Sequence, residues 1–229
     1  MNAIPENNED IQVQKLEELR EKVLRENKQH QINKIRQACN VPENLLKSKT
    51  FLNFRVNDGN KKAFDTFSVW EPTDTWGIML QGNAGVGKSH LLYAFMNKCA
   101  EMQLAVFFMN CSDMFDMLKS GYTDNSFEEK MDRLKDVEVL VLDDIGVEKP
   151  SEWIEEKLFQ LLNHRITNKL PTFLSTNCSQ KDLKARLHER ITSRIKEAAV
   201  VVTVDGSDMR NKIYESRLDI IKSRIDKLG

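Results

Sequence analysis

The chain has 229 residues, of which 40% are hydrophobic, so it can form one domain with a hydrophobic core and an extension. Its formal net charge is −1, so its overall charge does not favour nucleic acid. Its four cysteines are scattered without Cys-x-x-Cys spacing, which argues against a zinc site and a disulfide framework. The polar, acidic start is unlike a signal peptide, and no apolar run approaches the roughly 18 residues that span a membrane, so we expect a cytoplasmic protein without membrane contact.

The first predicted element is a helix over residues 11–38, a highly charged stretch without Gly or Pro. Leu16, Leu19 and Val23 repeat at helical spacing, but they make only a thin apolar stripe. Two interpretations follow from this pattern. The helix either packs loosely on its own domain with most of its surface solvated, or it docks on a partner protein.

Residues 42–49 are expected to form a linker, which divides the chain into a helical extension at 1–47 and a domain at 48–229. In the domain, short apolar runs alternate with amphipathic segments. The predicted strands are 76–81, 104–109, 137–144, 170–177 and 199–204. The predicted helices between them include 88–102, 112–120, 126–135 and 151–169. This alternation predicts an α/β fold whose mostly parallel sheet is flanked by helices.

A glycine-rich loop follows the first of these strands and precedes a helix. Residues 82–89, GNAGVGKS, fit the phosphate-loop pattern GxxxxGK[ST] at every fixed position. The glycines let successive backbone N–H groups turn inward around an anion, and the next helix presents its N-terminus to the same phosphates. The predicted nucleotide-binding residues are Gly82, Asn83, Ala84, Gly85, Val86, Gly87, Lys88, Ser89 and His90. Lys88 is placed to reach the β- and γ-phosphates, and the Ser89 hydroxyl to ligate Mg²⁺.

Polar side chains end two later strands. Asp143 closes a buried run, where it can hold Mg²⁺ through water, and Asp144 follows it, where it can orient or activate the attacking water. Aspartate reaches less far than glutamate at the second position, which suggests slow hydrolysis. Asn177 ends the strand in LPTFLSTN, where its amide either holds the attacking water and the γ-phosphate or only caps the following segment.

These motifs together resemble the AAA+ ATPases, and within them the DnaC/DnaI helicase-loader family and the related IstB transposition ATPase. The resemblance lies in GNAGVGKSH, VLVLDDIG, LPTFLSTN and ERITSRI, in that order, and it covers about residues 49–213. The first two motifs are shared by many ATPases, whereas DDIG, STN and ERITSRI together are far more specific. The resemblance implies ATP and Mg²⁺ as ligands, and slow ATP hydrolysis that oligomerisation or single-stranded DNA stimulates.

The resemblance also assigns roles to individual residues. It implies that Asp143 is the magnesium-binding acid, Asp144 the catalytic acid and Asn177 the first sensor of the nucleotide. Arg210, in GSDMRNK, matches the second sensor, which contacts nucleotide in the same subunit. The alternative for Arg210 is a solvated helix face.

Two further arginines lie one helical turn apart in ERITSRI. Arg194 matches the arginine finger, which acts on nucleotide bound to the neighbouring subunit. Arg190 either supports that finger or forms an intersubunit salt bridge, and each arginine otherwise lies on a solvated face. A finger that works in trans implies self-association into a ring or spiral and a monomer with little ATPase activity.

Two further assignments concern the adenine base and single-stranded DNA. The stretch KTFLNFRV (49–56) resembles the segment before the phosphate loop in loaders, so Phe51 and Phe54 either pack near adenine or belong to the core. In the family, single-stranded DNA runs near the region that corresponds to residues 111–126. Lys119 and Tyr122 there offer a phosphate contact and a stacking platform, or else are ordinary surface residues.

The resemblance favours an ATP-dependent loader that binds a hexameric replicative DNA helicase and delivers it to single-stranded DNA. Two alternatives remain: an IstB-like ATPase that regulates a transposase on duplex DNA, and an ATP-dependent switch that sequesters a helicase with little turnover. The chain departs from the family in its short N-terminal segment, whose single cysteine, Cys39, excludes a zinc module. The predicted C-terminal helix, 207–228, forms at most a minimal lid, as in the family.

Overall fold

A computed structural model of the protein describes residues 8–146 and 151–225. The strands are β1 (Gly77–Gln81), β2 (Val106–Asn110), β3 (Val139–Asp143), β4 (Thr172–Thr176) and β5 (Ala199–Thr203). The helices are α1 (Asn8–Ala38), α2 (Glu43–Ser48), α3 (Lys61–Val69), α4 (Lys88–Glu101), α5 (Cys111–Gly121), α6 (Phe127–Asp136), α7 (Glu152–Thr167), α8 (Gln180–Arg186), α9 (Glu189–Ala198) and α10 (Met209–Ile225). The strands pair in parallel in the order β2–β3–β4–β1–β5, which confirms the predicted α/β fold.

The central strands are buried on both faces, which explains their unbroken apolar runs. Successive side chains of β1 point to opposite faces of the sheet. Ile78 and Leu80 join a hydrophobic cluster with α3 and α4, whereas Met79 joins the cluster formed with α5, α6, α7 and α9. The sheet is therefore the middle of three layers, and the strand boundaries agree with the predicted ones to within two residues.

The prediction of a linker at residues 42–49 is wrong, because this segment contains α2. The helix buries Leu46, which is 2% exposed, in the same cluster as α4. The side-chain amide of Asn97, from α4, donates hydrogen bonds to the carbonyls of Leu46 (2.8 Å) and Lys49 (3.3 Å) at the end of α2. The division of the chain at 47/48 stays a prediction, but packing joins α2 to the layer that carries α4.

The turn after α1 covers the sheet edge formed by β2. The backbone N–H of Phe108 donates to the carbonyl of Cys39 at 2.9 Å, and the side-chain amide of Asn40 donates to the carbonyl of Phe108 at 3.1 Å. Arg133 of α6 also donates to the carbonyl of Ala38. These bonds satisfy backbone groups that an open edge strand leaves unpaired.

The outer parts of the two terminal helices have few contacts. Leu16, Leu19 and Val23 of α1 are 66%, 58% and 46% exposed, as their thin stripe predicts. In α10, the described side chains from Arg210 onward are exposed. Helix α10 starts at Met209, two residues after the predicted start at 207. Residues 226–228 of the predicted helix lie outside the described part of the chain. None of the helices in the described ranges is both long and apolar enough to cross a membrane.

Candidate active site

The predicted site residues meet at the carboxyl ends of β1, β3 and β4. These strands are neighbours and parallel, and Gln81 at the end of β1 pairs with Thr176 at the end of β4. The loops that leave the strands therefore open on the same edge of the sheet, where parallel α/β folds bind their ligands.

The phosphate loop has the backbone that its glycines predict. Gly85 and Gly87 have φ values of 78° and 102°, in the left-handed region that side chains disfavour. Gly87 is also the residue that precedes α4, so the loop leads directly into the first turn of that helix. This conformation suits an anion, because it collects backbone N–H groups beside a helix N-terminus.

Lys88 is buried at the mouth of this loop, with 5% of its surface exposed. Its ammonium donates to the carbonyls of Gly82 and Asn83, both at 2.7 Å, and to Oδ1 of Asn177 at 2.5 Å. Burial lowers the pKa of Lys88, and the nearby charges of Asp144 and Asp143 offset part of that effect. The lysine is thus held among neutral oxygens, where phosphate oxygens would be stronger partners.

Ser89 and Asp143 form the predicted magnesium pair. The Ser89 hydroxyl donates to Oδ2 of Asp143 at 2.8 Å, and Asp143 is 5% exposed. A hydroxyl and a carboxylate are hard oxygen ligands of the kind that Mg²⁺ takes together with water and phosphate oxygens. The two side chains therefore fit this ion.

Asp144 contacts Asn177, a pairing that the sequence did not predict. Asp144 has a φ of 58°, and its Oδ1 accepts a hydrogen bond from the side-chain amide of Asn177 at 2.7 Å. Burial and the adjacent charge of Asp143 raise the pKa of Asp144, while Lys88 and Asn177 act in the opposite direction. A raised pKa makes a carboxylate a better proton acceptor near neutral pH. A cavity of about 200 Å³ borders Asp144.

Ser175, which the sequence analysis did not select, lies between the two acids. Its hydroxyl donates to Oδ1 of Asp143 and accepts from the backbone N–H of Asp144 at 3.0 Å. A signal was available in LSTN, because residues two apart on a strand share a face and Ser175 is two residues before Asn177.

Aromatic side chains support the loop from the side of the segment 49–56. The His90 ring nitrogen Nε2 lies 3.1 Å from the carbonyl of Thr50, and burial lowers the pKa of this histidine. The His90 ring contacts Phe54 edge to face at 5.1 Å, and Phe54 stacks on Phe64 at 5.8 Å. Phe51 contacts the same Phe64 ring. Phe51 and Phe54 thus pack beside the loop, and both interpretations, base contact and core, stay open.

The start of α10 is attached to the phosphate loop. The backbone N–H of Met209 donates to the carbonyl of Gly85 at 3.1 Å, and the carboxylate of Asp208 lies directly against Gly85. The backbone N–H of Arg210 donates to Oδ1 of the same Asp208 at 2.8 Å, so this arginine is close to the loop although its side chain is exposed. The structure thus brings Arg210 near the phosphate loop, and its sensor role stays a prediction.

Arg190 and Arg194 are placed elsewhere, on the exposed side of α9. Their guanidinium carbons lie 5.4 and 5.7 Å from the ring centre of Phe159 in α7. Arg194 also forms an ion pair with Glu197 at 2.5 Å. These described contacts leave both arginines on a shared surface with Phe159 and not at the phosphate loop of the same chain.

Lys119 and Tyr122 also lie apart from the phosphate loop, at the end of α5. Lys119 is exposed and Tyr122 is 55% exposed. The Tyr122 ring stacks on Phe127 at 4.5 Å, and its hydroxyl accepts a hydrogen bond from Nε1 of Trp153 at 3.2 Å. Phe127 and Trp153 were not predicted as partners of Tyr122, because one begins the next helix and the other lies on α7, far along the chain.

Comparisons with known proteins identify relatives of this site and fold. The family model described as "IstB-like ATP binding protein" matches residues 6–216. The replicative helicase loader DnaI of Bacillus subtilis (strain 168) is 32% identical over 148 residues, which are 59% of this chain and 48% of DnaI. The replicative helicase loader DnaC of Escherichia coli (strain K12) is 28% identical over 158 residues, or 66% of this chain and 64% of DnaC. The match therefore spans about half of DnaI and somewhat under two thirds of DnaC.

Solved structures agree with this result. The crystal structure of the DnaC helicase loader superposes with a TM-score of 0.65 at 25% identity, over 70% of this chain and 98% of that one. The resemblance in the sequence motifs is thus confirmed by a family model, by relatives and by the fold. The chain belongs to the family of IstB-like ATP-binding proteins and has the AAA+ fold of the helicase loaders DnaC and DnaI.

Proposed function

We propose that this protein is an ATP-dependent loader that binds a hexameric replicative DNA helicase and delivers it to single-stranded DNA. The observation that carries the proposal is the match to DnaI and DnaC, both named replicative helicase loaders. Because about half of DnaI lies outside the match, the helicase, the DNA and the loading activity are all part of the proposal.

The proposed reaction is hydrolysis of ATP to ADP and phosphate. The phosphate loop binds the ATP phosphates, and Lys88 donates to the β- and γ-phosphate oxygens in place of its present carbonyl partners. Mg²⁺, held by Ser89 and Asp143, would neutralise the charge that develops on the transferred phosphoryl group. Asp144 orients the attacking water and accepts its proton, and Asn177 holds the Asp144 carboxylate in place. The short reach of an aspartate makes this turnover slow.

A complete site is proposed to need a second copy of the chain. Arg190 and Arg194 lie together on α9, and the Phe159 ring packs beside both guanidinium groups. A guanidinium brought to the γ-phosphate of a neighbour stabilises the transition state. Self-association into a ring or spiral with these two arginines at the subunit interface is therefore part of the mechanism, and Arg210 contacts the nucleotide within its own subunit.

Contact with single-stranded DNA is assigned to the end of α5. Lys119 provides a cation for a phosphate, and the exposed Tyr122 ring provides a stacking surface. The packing of Tyr122 on Phe127 supports this role, because a ring that is held rigid loses little conformational entropy when a base stacks on it.

The outer part of α1 is proposed to dock on the helicase. Leu16, Leu19 and Val23 are exposed on a helix whose base is fixed to the sheet edge by Cys39 and Asn40. An anchored helix with an unburied apolar stripe suits helix-in-groove recognition.

Two other functions have a specific observation in their favour. The matched family carries the IstB description, which favours an ATPase that regulates a transposase on duplex DNA. The aspartate at position 144 reaches less far than a glutamate, so ATP hydrolysis should be slow. Slow hydrolysis favours a switch that binds ATP and sequesters a helicase. The experiments below distinguish the three.

The first experiment is native mass spectrometry of the purified chain mixed with the hexameric replicative helicase of its host, with and without ATP. A loader forms a defined complex that the triple variant Leu16→Ser, Leu19→Ser, Val23→Ser loses. The matched control on the same helix is Lys15→Ser, Glu18→Ser, Lys22→Ser, which should keep the complex. ATPase activity stimulated by single-stranded DNA then separates a loader from a sequestering switch. Failure to form any complex rules out both and favours the transposase regulator.

The second experiment tests whether Arg194 acts in trans by mixing two inactive variants. Lys88→Ala removes ATP binding, and Arg194→Ala spares it but removes the finger. In an equal mixture, about a quarter of the sites combine an intact loop with a neighbour's intact finger, so activity should return to about a quarter of the wild-type rate. Lys196→Ala, an exposed change on the same helix, is the control and should retain full activity. Wild-type hydrolysis by Arg194→Ala alone contradicts the finger assignment.

A further inference from the structure

Ser175 is fully buried on β4, and its hydroxyl joins the two acids of β3. The hydroxyl donates its single hydrogen to Oδ1 of Asp143 and accepts from the backbone N–H of Asp144 at 3.0 Å. Because the hydroxyl has one proton, and the N–H of Asp144 can only donate, the hydroxyl must donate to Asp143 and accept from Asp144. Its proton goes to the carboxylate, and its lone pair faces the peptide group.

The first consequence concerns the orientation of the Asp143 carboxylate. Ser175 donates its hydrogen bond to Oδ1 of Asp143, and so Oδ2 of Asp143 is the oxygen that faces the Ser89 hydroxyl, at 2.8 Å. Without Ser175, Oδ1 would lie in a nearly closed environment with no hydroxyl partner, and the carboxylate would turn to recover one. Ser175 therefore decides which oxygen is presented toward Ser89.

The second consequence concerns Asp144. Its backbone has a left-handed φ of 58°, which is uncommon for a residue with a side chain, and its N–H is bound by Ser175. The same backbone conformation directs the carboxylate to the amide of Asn177 at 2.7 Å. Ser175 and Asn177 lie two residues apart, on the same face of the end of β4. Ser175 binds the backbone of Asp144, and Asn177 binds its carboxylate.

We propose that Ser175 is a positioning residue of the ATP site, which orients Asp143 for Mg²⁺ and fixes the backbone of Asp144. This inference rests on the proposed ATPase function. Ser175 acts through the two aspartates and touches neither nucleotide nor metal. Outer hydrogen-bond partners of this kind typically change metal affinity by about 10- to 100-fold when they are removed.

The chain offers a matched control one residue along the strand. Thr176 is also fully buried, but its hydroxyl donates to the carbonyl of Ile145 and accepts from the backbone N–H of Cys178. Thr176→Val removes a buried hydroxyl from the same strand without touching either aspartate side chain. Ser175→Thr keeps the hydroxyl at the proposed position and serves as the conservative variant.

The experiment measures the dissociation constant of a fluorescent ATP analogue for the full chain, in EDTA and across a Mg²⁺ titration, together with the ATPase rate. Ser175→Ala should bind the analogue in EDTA within about twofold of wild type, whereas the Mg²⁺ concentration for half-maximal binding should rise by about tenfold or more. Ser175→Thr should restore the wild-type Mg²⁺ dependence, and Thr176→Val should leave it unchanged. If Ser175→Ala does not fold, Ser175→Cys, a weaker donor of similar size, replaces it.

Wild-type Mg²⁺ dependence in folded Ser175→Ala overturns the role of Ser175 while leaving the ATPase proposal intact. Equal shifts in Ser175→Ala and Thr176→Val also overturn it, because they indicate a general effect of the strand. Absence of Mg²⁺-dependent nucleotide binding by the wild-type chain overturns the proposed function itself, and the role of Ser175 with it.

Discussion

The consecutive aspartates at the end of β3, Asp143 and Asp144, have different surroundings. Asp143 is 5% exposed and accepts hydrogen bonds from the hydroxyls of Ser89 and Ser175. Asp144 leaves the strand in a left-handed conformation and contacts the amide of Asn177. These different environments suit the roles proposed for the two carboxyl groups, Asp143 for the metal and Asp144 for proton transfer.

The raised pKa of Asp144 predicts a dependence of stability on pH. A carboxyl whose pKa is higher in the folded protein stabilises the fold below its unfolded pKa of about 3.9, and this contribution is lost as the pH rises through the folded value. Above the folded pKa, the ionised Asp144 therefore lowers the free energy of unfolding. We expect Asp144→Asn to raise the Tm of the nucleotide-free protein at pH 7, with a difference from wild type that shrinks toward pH 4. Thermal melts over this range measure it.

The same variant should lose activity. Removing a positioned general base typically lowers kcat by about 10²- to 10⁴-fold, so Asp144→Asn should become both more stable and nearly inactive. Asp116→Asn, an exposed change on α5, is the control for each measurement and should alter neither. A Tm at pH 7 below that of the wild type would contradict the assignment of the pKa shift.

Sequence reasoning succeeded at this scale where the chemistry is local. The phosphate loop needs glycine, lysine and serine within eight consecutive residues, and the loop geometry matches that expectation at Gly85 and Gly87. Asp208 was missed, because its partner Gly85 lies on another element and no local pattern distinguishes it from an ordinary capping residue. For Ser175 the local signal was its spacing from Asn177, which does not reveal its contacts with the two acids that follow one another on the neighbouring strand.

At the scale of elements, a buried arginine connects four segments. Arg165 of α7 is fully buried and donates to the hydroxyl of Thr172 (2.9 Å) and to the carbonyls of Leu134 (3.0 Å), Val137 (2.8 Å) and Pro171 (2.8 Å). Burial lowers the pKa of its guanidinium to about 9. The arginine thereby fixes the end of α6 and the beginnings of β3 and β4, whose far ends carry the acids and Asn177.

Replacing this arginine should destabilise the protein strongly. Arg165→Met keeps much of the side-chain volume but leaves several buried carbonyls without a donor, and each such loss costs about 1–3 kcal/mol. We expect the free energy of unfolding to fall by about 3 kcal/mol or more, measured by urea denaturation. The exposed Arg217→Met on α10 is the control and should change stability by less than about 0.5 kcal/mol. A similarly small effect at Arg165 would mean that water or backbone shifts satisfy the carbonyls.

The elements that the sequence analysis missed depend on tertiary contacts. The short α2 forms where a linker was expected because Leu46 finds a buried site and Asn97 binds the end of the helix. The helix α3 was not predicted, and its last carbonyls are bound by the ammonium of Lys98, from α4. Such helices are too short to form without their neighbours, so local pattern alone carries little signal for them.

At the scale of the whole molecule, the N-terminal segment has two parts that differ in burial. The outer part of α1 is exposed, whereas Ile32, Cys39 and Leu46 are 6%, 1% and 2% exposed. Cys39 and Leu46 belong to the core cluster that also holds α4. The proposed division at 47/48 therefore cuts through packed structure, whereas the exposed part of α1, which we propose docks on a partner, ends before Ile32.

This packing predicts different outcomes for two deletions. Removing residues 1–28 should leave the midpoint of urea unfolding nearly unchanged, because the described side chains lost are exposed. Removing residues 1–47 should lower the free energy of unfolding by about 3 kcal/mol or more, because burying each large apolar side chain contributes about 1.5–3 kcal/mol. The edge of β2 would also be uncovered, so aggregation should increase. Equal stability of the two truncated chains would instead support 48–229 as an independent domain.

The strand order has a consequence for the synthesis of the protein. β1 is made first of the five strands, yet both of its neighbours in the sheet, β4 and β5, are made last. While the chain grows on the ribosome, β1 and the loop after it emerge long before either partner exists, and β2 and β3 can pair only with each other. The nucleotide site, which lies at the ends of β1, β3 and β4, therefore cannot form until residues 172–177 have left the exit tunnel, and the apolar β1 must be protected from aggregation until then.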